Sequence, residues 1–129
     1  MPAPFNQVQA AVTIGASLTD VFSFPFEGRE KDLTILIANT GTTNATTNLA
    51  ILRQFTDGGA WIPWLIGSDF TTASSRYSPS ANPSPNGIGP GQIGFVDFDP
   101  GACVAIKVQA ASASGTTVQV SLCGRSNAR

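Results

Sequence analysis

Few side chains in this 129-residue chain could do chemistry, and the sequence contains no histidine. Without histidine, Ser–His–Asp and Cys–His catalytic arrangements are excluded, and so are His-containing zinc sites. Two cysteines are too few for a Cys-rich zinc site, and no Walker-type Gly–Lys–Ser/Thr loop occurs. The groups left to carry a function are carboxylates, two tryptophans and the two cysteines.

Asp97 and Asp99 form the most suggestive carboxylate pair, because the two-residue period of a strand points both to the same side. Together with loop carbonyls they could hold a calcium ion. The alternative, which we favour, is that Asp99 belongs to an Asp-Pro-Gly turn and needs no metal. A glycosidase needs two carboxylates that face a cleft, and the sequence indicates no cleft. We therefore predict no catalytic residue, no metal site and no cofactor, so the chain is not expected to be an enzyme.

Trp61 and Trp64 flank Ile62 and Pro63. An exposed tryptophan can be a stacking platform for a sugar or an anchor in a protein interface. Their odd spacing would place them on opposite faces of a regular strand, although Pro63 can disturb that regularity. We expect one tryptophan in the core and the other near the surface.

The composition predicts a folded domain with an unusually uncharged surface. Hydrophobic residues make up 42% of the chain and charged residues 12%, half the usual charged share of ~25%. Low charge leaves little repulsion between neighbouring copies, which suits a protein that packs against itself or a partner, although many small β domains share this property. The net charge is −1 and the seven basic residues are scattered, so neither nucleic-acid nor membrane-surface binding is expected.

Short β-branched and aromatic runs separated by Gly, Asn, Pro and Asp clusters predict an all-β fold, and helical periodicity is absent. We predict one antiparallel β-sandwich domain over residues 1–129, jelly-roll-like or Ig-like, with about eight strands. The strands are predicted at residues 7–14, 19–26, 32–39, 48–55, 60–66, 92–98, 102–111 and 116–123. The second strand should lie at a sheet edge because Pro25 cannot donate a hydrogen bond, and its row of phenylalanines should face the core. The third strand should be central because both of its faces are apolar.

Two polar segments that contain proline lie largely outside these strands: an N-terminal arm at residues 1–7 and a long loop at residues 68–92. A loop of this length in a compact domain is usually functional or disordered. We expect the arm, the loop and one of the two tryptophans to contact sister subunits or a larger assembly. The predicted interface residues are Pro4, Phe5, Trp61, Trp64, Tyr77, Pro83 and Pro85.

The last two predicted strands can be aligned as a hairpin whose apolar residues face one another. The matched residues are Val104 with Leu122, Ile106 with Val120 and Val108 with Val118. A slip of one residue would set Val against Gln, so this register is preferred, and it places Cys103 opposite Cys123. The two cysteines would then be cross-strand neighbours, either as a disulfide or, as we favour, as reduced thiols in a cytoplasm-made protein. A secretory signal is not recognised in the opening MPAPFNQ.

Four segments carry a resemblance to known proteins: residues 33–41 (LTILIANTG), 61–64 (WIPW), 89–92 (GPGQ) and the hairpin predicted at 104–122. The pattern resembles small structural proteins of tailed bacteriophages, including capsid decoration (cement) proteins and related β-sandwich virion modules. The resemblance covers most of the chain, but it is a likeness of the overall pattern and not of a diagnostic motif. No functional residue can therefore be carried over from it. It implies a virion protein that binds the major capsid protein or another virion protein, often as a trimer, and stabilises the shell.

Other functions remain open on the sequence. One is a tail, neck or fibre module of the virion, and another is a carbohydrate-binding or adhesin domain that uses a tryptophan platform. The chain is in each case expected to work as a homo-oligomer or as part of an assembly.

Overall fold

A computed structural model describes residues 2–66 and 87–127, with the side chains of residues 6–66 and 87–125. The described part is all β and contains no helix, so no candidate for a membrane-spanning helix is found there. Its strands are β1 (Pro2–Val8), β2 (Val12–Ile14), β3 (Thr19–Pro25), β4 (Glu30–Asn39), β5 (Asn48–Gln54), β6 (Trp61–Ile66), β7 (Ile93–Phe98), β8 (Ala105–Ala111) and β9 (Thr116–Asn127).

The strands form two antiparallel sheets. Sheet I has the order β1–β9–β4–β7, and β2 continues β1 along the same edge of β9. Sheet II has the order β3–β8–β5–β6. The pairings are nested in chain order, since β9 pairs with β1 and β2, β8 with β3, β7 with β4 and β6 with β5. This nesting, in which one long hairpin is wound into two layers, is the jelly-roll topology, and the predicted β-sandwich is confirmed in that form.

The core between the sheets is built by strictly alternating apolar residues. On β4, Leu33, Ile35 and Ile37 are at most 1% exposed, and the residues that alternate with them, Thr34, Leu36 and Ala38, are half-buried. The facing residues of β8 and β9 are all 0% exposed: Ile106, Val108, Ala110, Val118, Val120 and Leu122. Full burial of one such large aliphatic side chain is worth about 1.5–3 kcal/mol, so this layer is the main source of stability.

The predicted positions of the second and third strands within their sheets are confirmed. β3 forms one edge of sheet II and ends at Pro25, whereas β4 lies between β9 and β7 in sheet I. A register shift between Asp20 and Phe22 lets Phe22 enter the core at 2% exposure. Phe24 and Phe26 pack against the core from its margin.

The predicted strand at residues 7–14 is wrong, because the chain leaves the strand conformation at residues 9–11 between β1 and β2. The expected N-terminal arm also differs, since Pro2–Val8 pairs along β9, with Pro4 opposite Arg125 and Phe5 opposite Gly124. The physical reason is the length of β9, which runs past its predicted end to Asn127. That extension offers backbone groups that need hydrogen-bond partners, and β1 supplies them.

The predicted hairpin of the last two strands is wrong as well. β8 lies in sheet II between β3 and β5, and β9 lies in sheet I between β1 and β4. The turn at residues 112–115 therefore crosses the sandwich. The predicted apolar faces are correct, because both strands face the same core from opposite sides. Two strands that face each other across a core show the same alternation as two strands of a hairpin, so the pattern could not separate the two arrangements.

The cross-strand pairing of the cysteines fails with that hairpin. Cys123 lies opposite Asn6 on β1 and Thr34 on β4, and its thiol contacts the Thr34 carbonyl at 3.7 Å. Cys103 precedes β8, is buried, and donates to the Ala105 carbonyl at 2.9 Å. Both cysteines are free thiols.

Candidate functional site

The two carboxylates of the possible calcium pair lie in an open groove at one end of the sandwich, where β4 begins and β7 ends. The groove encloses about 380 Å³ between Asp32, Leu33, Thr34, Asp97, Phe98 and Asp99. The Thr34 hydroxyl donates to Asp97 at 2.6 Å, and the Asp32 backbone N–H donates to Asp99 at 2.9 Å. Both carboxylates therefore tie β7 to β4. In the described part of the chain, no group of three or more His, Cys, Asp or Glu is arranged to hold a metal ion.

Four aromatic rings close the core at this same end. Ring centroids are 5.5 Å apart for Phe24 and Phe26, 6.3 Å for Phe26 and Phe98, and 5.4 Å for Trp64 and Phe98. Phe98 belongs to sheet I and the other three come from sheet II or its border, so the row joins the two layers. Edge-to-face and tilted pairs of this kind each add about 0.5–1.5 kcal/mol beyond area burial.

Arg53, near the end of β5, lies at one end of this aromatic row, next to Trp64. Its guanidinium carbon lies 4.9 Å from the centroid of the Trp64 ring and 5.3 Å from that of Phe55. The side chain is half-buried, and its Nε is buried without a hydrogen-bond partner among the described residues. Ile62 lies opposite Arg53 in the β5–β6 pairing and is 48% exposed, and Phe55 is 39% exposed. We call Arg53, Phe55, Ile62 and Trp64 the arginine site.

The two tryptophans are placed on different sides of sheet II, and both are half-buried. Trp64 packs against the core, and a register shift in the β5–β6 pairing at Ile51 and Leu52 accommodates it. Trp61 lies under the ammonium of Lys107, which is 4.6 Å from its ring centroid and 3.6 Å from Asp20. The ring of Trp61 is thus already engaged by a cation of its own chain.

At the opposite end of the sandwich, where β4 ends, Asn39 organises a buried polar cluster. Asn39 is 1% exposed, and its amide nitrogen donates to the carbonyls of Asn44 and Ile88, both at 2.8 Å. Its amide oxygen accepts from the Gly41 N–H at 3.0 Å and the Thr116 hydroxyl at 2.8 Å. All four hydrogen-bonding positions of this side chain are therefore filled. We call this region the Asn39 end.

Ile88 is the core residue that the sequence analysis missed. It falls inside the predicted polar loop at residues 68–92, yet it is 0% exposed and belongs to the main core cluster. Its backbone N–H donates to the Thr46 hydroxyl at 2.7 Å, and its carbonyl accepts from the backbone N–H of Thr46 at 3.1 Å. A single isoleucine between glycines was the available signal, and it has no periodicity that could mark it as buried.

The outer face of sheet I carries an uncharged apolar row across its strands. Leu36 pairs with Phe95 on β7 and with Ser121 on β9, and Ser121 pairs with Val8 on β1. Val8 is 54% exposed, and Leu36 and Phe95 are half-buried. Ile93, which lies opposite Ala38 in the next row, is 49% exposed. We call Val8, Leu36, Phe95 and Ile93 the outer apolar row.

The predicted interface residues are only partly placed by the structure. Pro4 and Phe5 lie in β1, at an edge of sheet I, and Trp61 and Trp64 lie in β6, at an edge of sheet II. Tyr77, Pro83 and Pro85 lie outside the described residues. Sequence reasoning did not single out Arg53, although it stands at an inward position of β5, two residues after the fully buried Ile51. A cation at an inward strand position was the signal that pointed to it.

Comparisons with known proteins identify the fold. No protein-family model matches the sequence, and no curated protein is recognisably related to it. Among solved structures, the chain is similar to the SPBc2 prophage-derived protein YomS, with a TM-score of 0.52, 14% identity and 96% coverage of both chains. It also matches the infectious bursal disease virus Gx strain structure, with a TM-score of 0.49 and 12% identity, over 97% of this chain and 32% of the viral chain. At these identities, the first likeness establishes a shared fold and nothing finer.

Proposed function

We propose that this protein is a non-enzymatic structural subunit of a virus particle, which decorates a phage capsid by binding the major capsid protein and sister subunits. The observation that carries the proposal is the outer apolar row. Val8 and Ile93 are about half exposed on a sheet face whose neighbouring outward positions include the uncharged Thr34, Ala38 and Gln119, and Asp97, opposite Thr34, adds one charge beside Phe95. Exposed apolar side chains grouped on one sheet face indicate a contact surface, since monomeric proteins rarely expose large contiguous apolar patches.

The fold supports the same proposal by analogy. Jelly rolls recur in viral capsid proteins and in lectins. The prophage-derived protein YomS has a similar fold over 96% of its length. This likeness favours a viral structural role over a lectin role. Fold alone does not determine function, and the surface therefore has to carry the argument.

The positions of the two tryptophans give less support to a lectin function. A sugar platform needs an accessible ring face next to hydrogen-bonding groups. Trp64 is packed against the core and Trp61 is engaged by Lys107. We accordingly propose a virion location, and a homo-oligomer, with a trimer favoured, in which sister subunits or the shell cover the outer apolar row.

The test is binding to shells purified from a mutant virus that lacks the gene for this chain. The added protein should sediment with the shells and raise the temperature at which they disrupt. Ile93→Glu places a charge in the outer apolar row and should reduce binding about tenfold or more, the size expected for a residue inside an interface.

The matched control is Leu18→Glu, because Leu18 is also exposed, at 40%, but lies in the connection before β3. This variant should bind like the unmodified protein. Failure of the unmodified protein to bind shells would exclude the decoration role. If the protein instead sedimented with purified tails, it would be assigned to a tail or neck structure. Turnover of a glycan that is lost on mutating one acidic residue would contradict the non-enzymatic part.

A further inference from the structure

We propose that the arginine site binds an aspartate or glutamate side chain of another protein. The inference deepens the proposed function, on which it rests only for the identity of that protein as the viral shell. The site is separate from the outer apolar row, since Arg53 and Ile62 belong to sheet II and the row belongs to sheet I.

The first argument compares the cations that the structure describes. Arg29, Arg53 and Lys107 are the half-buried ones among residues 6–66 and 87–125. Arg29 forms an ion pair with Glu27, and Lys107 forms one with Asp20. Arg53 has no ion pair with a described carboxylate, and its Nε is a buried donor without an acceptor. Because Nε is enclosed, an incoming acceptor reaches the terminal nitrogens of the guanidinium, and it supplies the counter-charge that the described part of the chain does not.

The second argument is the geometry of the guanidinium. Two rings, Trp64 and Phe55, hold it at centroid distances of 4.9 and 5.3 Å. A planar guanidinium held by aromatic rings can offer its two terminal nitrogens together to the two oxygens of a carboxylate. Little side-chain entropy is then lost on binding, because the side chain is already restrained.

The third argument concerns what surrounds the charge. Phe55 and Ile62 are 39% and 48% exposed beside Arg53. An arginine flanked by an aromatic and an aliphatic side chain resembles the energetic centre of protein interfaces, where apolar neighbours exclude water from the polar contact. A nucleic-acid phosphate would gain little from these neighbours, and the acidic groove at the same end of the sandwich would repel a polyanion.

The carboxylate is expected from a different protein rather than from a sister copy. Five of the acidic residues with described side chains are already engaged within this chain, namely Asp20, Glu27, Glu30, Asp97 and Asp99, whereas Asp32 and Asp57 are exposed. A sister copy would have to break such a contact to offer one of the five engaged groups, and binding through Asp32 or Asp57 of a sister copy would be seen as self-association that is lost in Arg53→Gln. A partner protein with an uncommitted Asp or Glu has no such cost.

The test uses the full chain and the shells described above. Arg53→Gln should weaken shell binding about thirtyfold or more, as for an interface hot spot. Arg53→Lys should weaken it as well, because an ammonium cannot make the bidentate contact. Lys107→Gln is the matched control, since Lys107 also lies over a tryptophan but has its own carboxylate. This variant should bind like the unmodified protein.

The outcomes separate the two proposals. Folded Arg53 variants that bind shells as tightly as the unmodified protein would overturn the arginine site and leave the decoration role standing. If the unmodified protein does not bind shells, the decoration role fails, and a peptide titration followed by NMR decides the arginine site. The probe is acetyl-Leu-Asp-Phe-amide, with acetyl-Leu-Asn-Phe-amide as its neutral control. Saturable movement of the Arg53 Nε–H and Trp64 indole signals with the aspartate peptide alone supports the site, and equal or absent movement with the two peptides overturns it.

Discussion

At one end of the sandwich Asn39 is 1% exposed and uses all four of its hydrogen-bonding positions, whereas at the other end the buried Nε of Arg53 has no partner. Both residues end a strand beside the same core, Asn39 on β4 and Arg53 near the end of β5. The difference lies in what surrounds them. Asn39 is enclosed by loops that present backbone carbonyls and N–H groups, whereas Arg53 is surrounded by aromatic and aliphatic side chains that offer no acceptor.

This contrast separates a structural polar group from one that is available for binding. A satisfied buried network stabilises one arrangement of the loops, and it leaves nothing for a partner to gain. A half-buried cation that is held on aromatic rings, with no carboxylate partner in the described part of the chain, can gain a charge-assisted contact from a ligand. The predictions below test whether the two ends differ in this way.

The largest effect is expected for Asn39→Leu. The substitution keeps the branched shape of the side chain but leaves the Ile88 and Asn44 carbonyls, the Gly41 N–H and the Thr116 hydroxyl without their partner. We expect a loss of about 3–4 kcal/mol in the free energy of unfolding, since each buried unsatisfied group costs ~1–3 kcal/mol and water can reach some of them after relaxation. Urea denaturation followed by tryptophan fluorescence measures it.

Gln109→Ala is the control for that experiment. Gln109 also donates a side-chain hydrogen bond, to Asp20 at 2.8 Å, but the contact is exposed. Its loss should change the free energy of unfolding by less than about 0.5 kcal/mol. If Asn39→Leu proved as mild as this control, the Asn39 end would not be the stabilising one.

The next effect separates two isoleucines that are close in sequence. Ile88→Ala should cost about 2–4 kcal/mol, because Ile88 is 0% exposed in the main core and its truncation leaves a cavity. Ile93→Ala should cost less than about 0.5 kcal/mol, because Ile93 is 49% exposed. Thermal unfolding of the two variants side by side gives the comparison. Equal losses of stability in the two variants would show that Ile88 is not a core residue of the Asn39 end.

The buried isoleucines also show where sequence reasoning succeeds and where it stops. Ile35 and Ile37 could be assigned to the core because they alternate within a β-branched run, and their burial and the central position of β4 are confirmed. Ile88 stands among glycines and proline, where no period exists, so its burial depends on a tertiary contact with Thr46. Loop residues that enter a core cannot be recognised from periodicity.

Strand pairing shows a second limit. The apolar faces of β8 and β9 were predicted correctly, but the strands lie in different sheets. Alternation records only which side of a strand is buried, and it contains no information on whether the partner is beside the strand or across the core. For that reason, the prediction that Cys103 and Cys123 are cross-strand neighbours was wrong. Arg53 was overlooked for a different reason: its inward position was readable, but the sequence does not show that the rings of Phe55 and of Trp64 on the next strand hold its guanidinium.

A smaller effect is expected for Glu30→Ala at the end that contains the arginine site. Glu30 is 8% exposed, and its carboxylate accepts from the backbone N–H groups of Glu27 at 3.0 Å and Arg29 at 3.2 Å. Loss of this charge-assisted cap should cost about 2 kcal/mol. Glu27→Ala is the control and should cost less than about 0.5 kcal/mol, since Glu27 forms an exposed ion pair with Arg29. Equal losses in the free energy of unfolding, measured by chemical denaturation, would show that Glu30 does not stabilise this end as a cap.

The smallest effect is expected for Arg53→Met, which is the counterpart of Asn39→Leu at the other end. Methionine keeps the apolar stem and can contact the rings of Trp64 and Phe55 through its sulfur. The variant loses two cation–π contacts, worth roughly 0.5–1 kcal/mol each, and it also loses the buried Nε that has no acceptor, whose penalty is of similar size. The two terms oppose each other, so the free energy of unfolding should change by less than about 1 kcal/mol in either direction. Measured beside Asn39→Leu in the same denaturant series, a loss above about 3 kcal/mol would mean that Arg53 is a satisfied structural residue. The two ends would then be alike, and the case for an incoming carboxylate would lose its energetic basis.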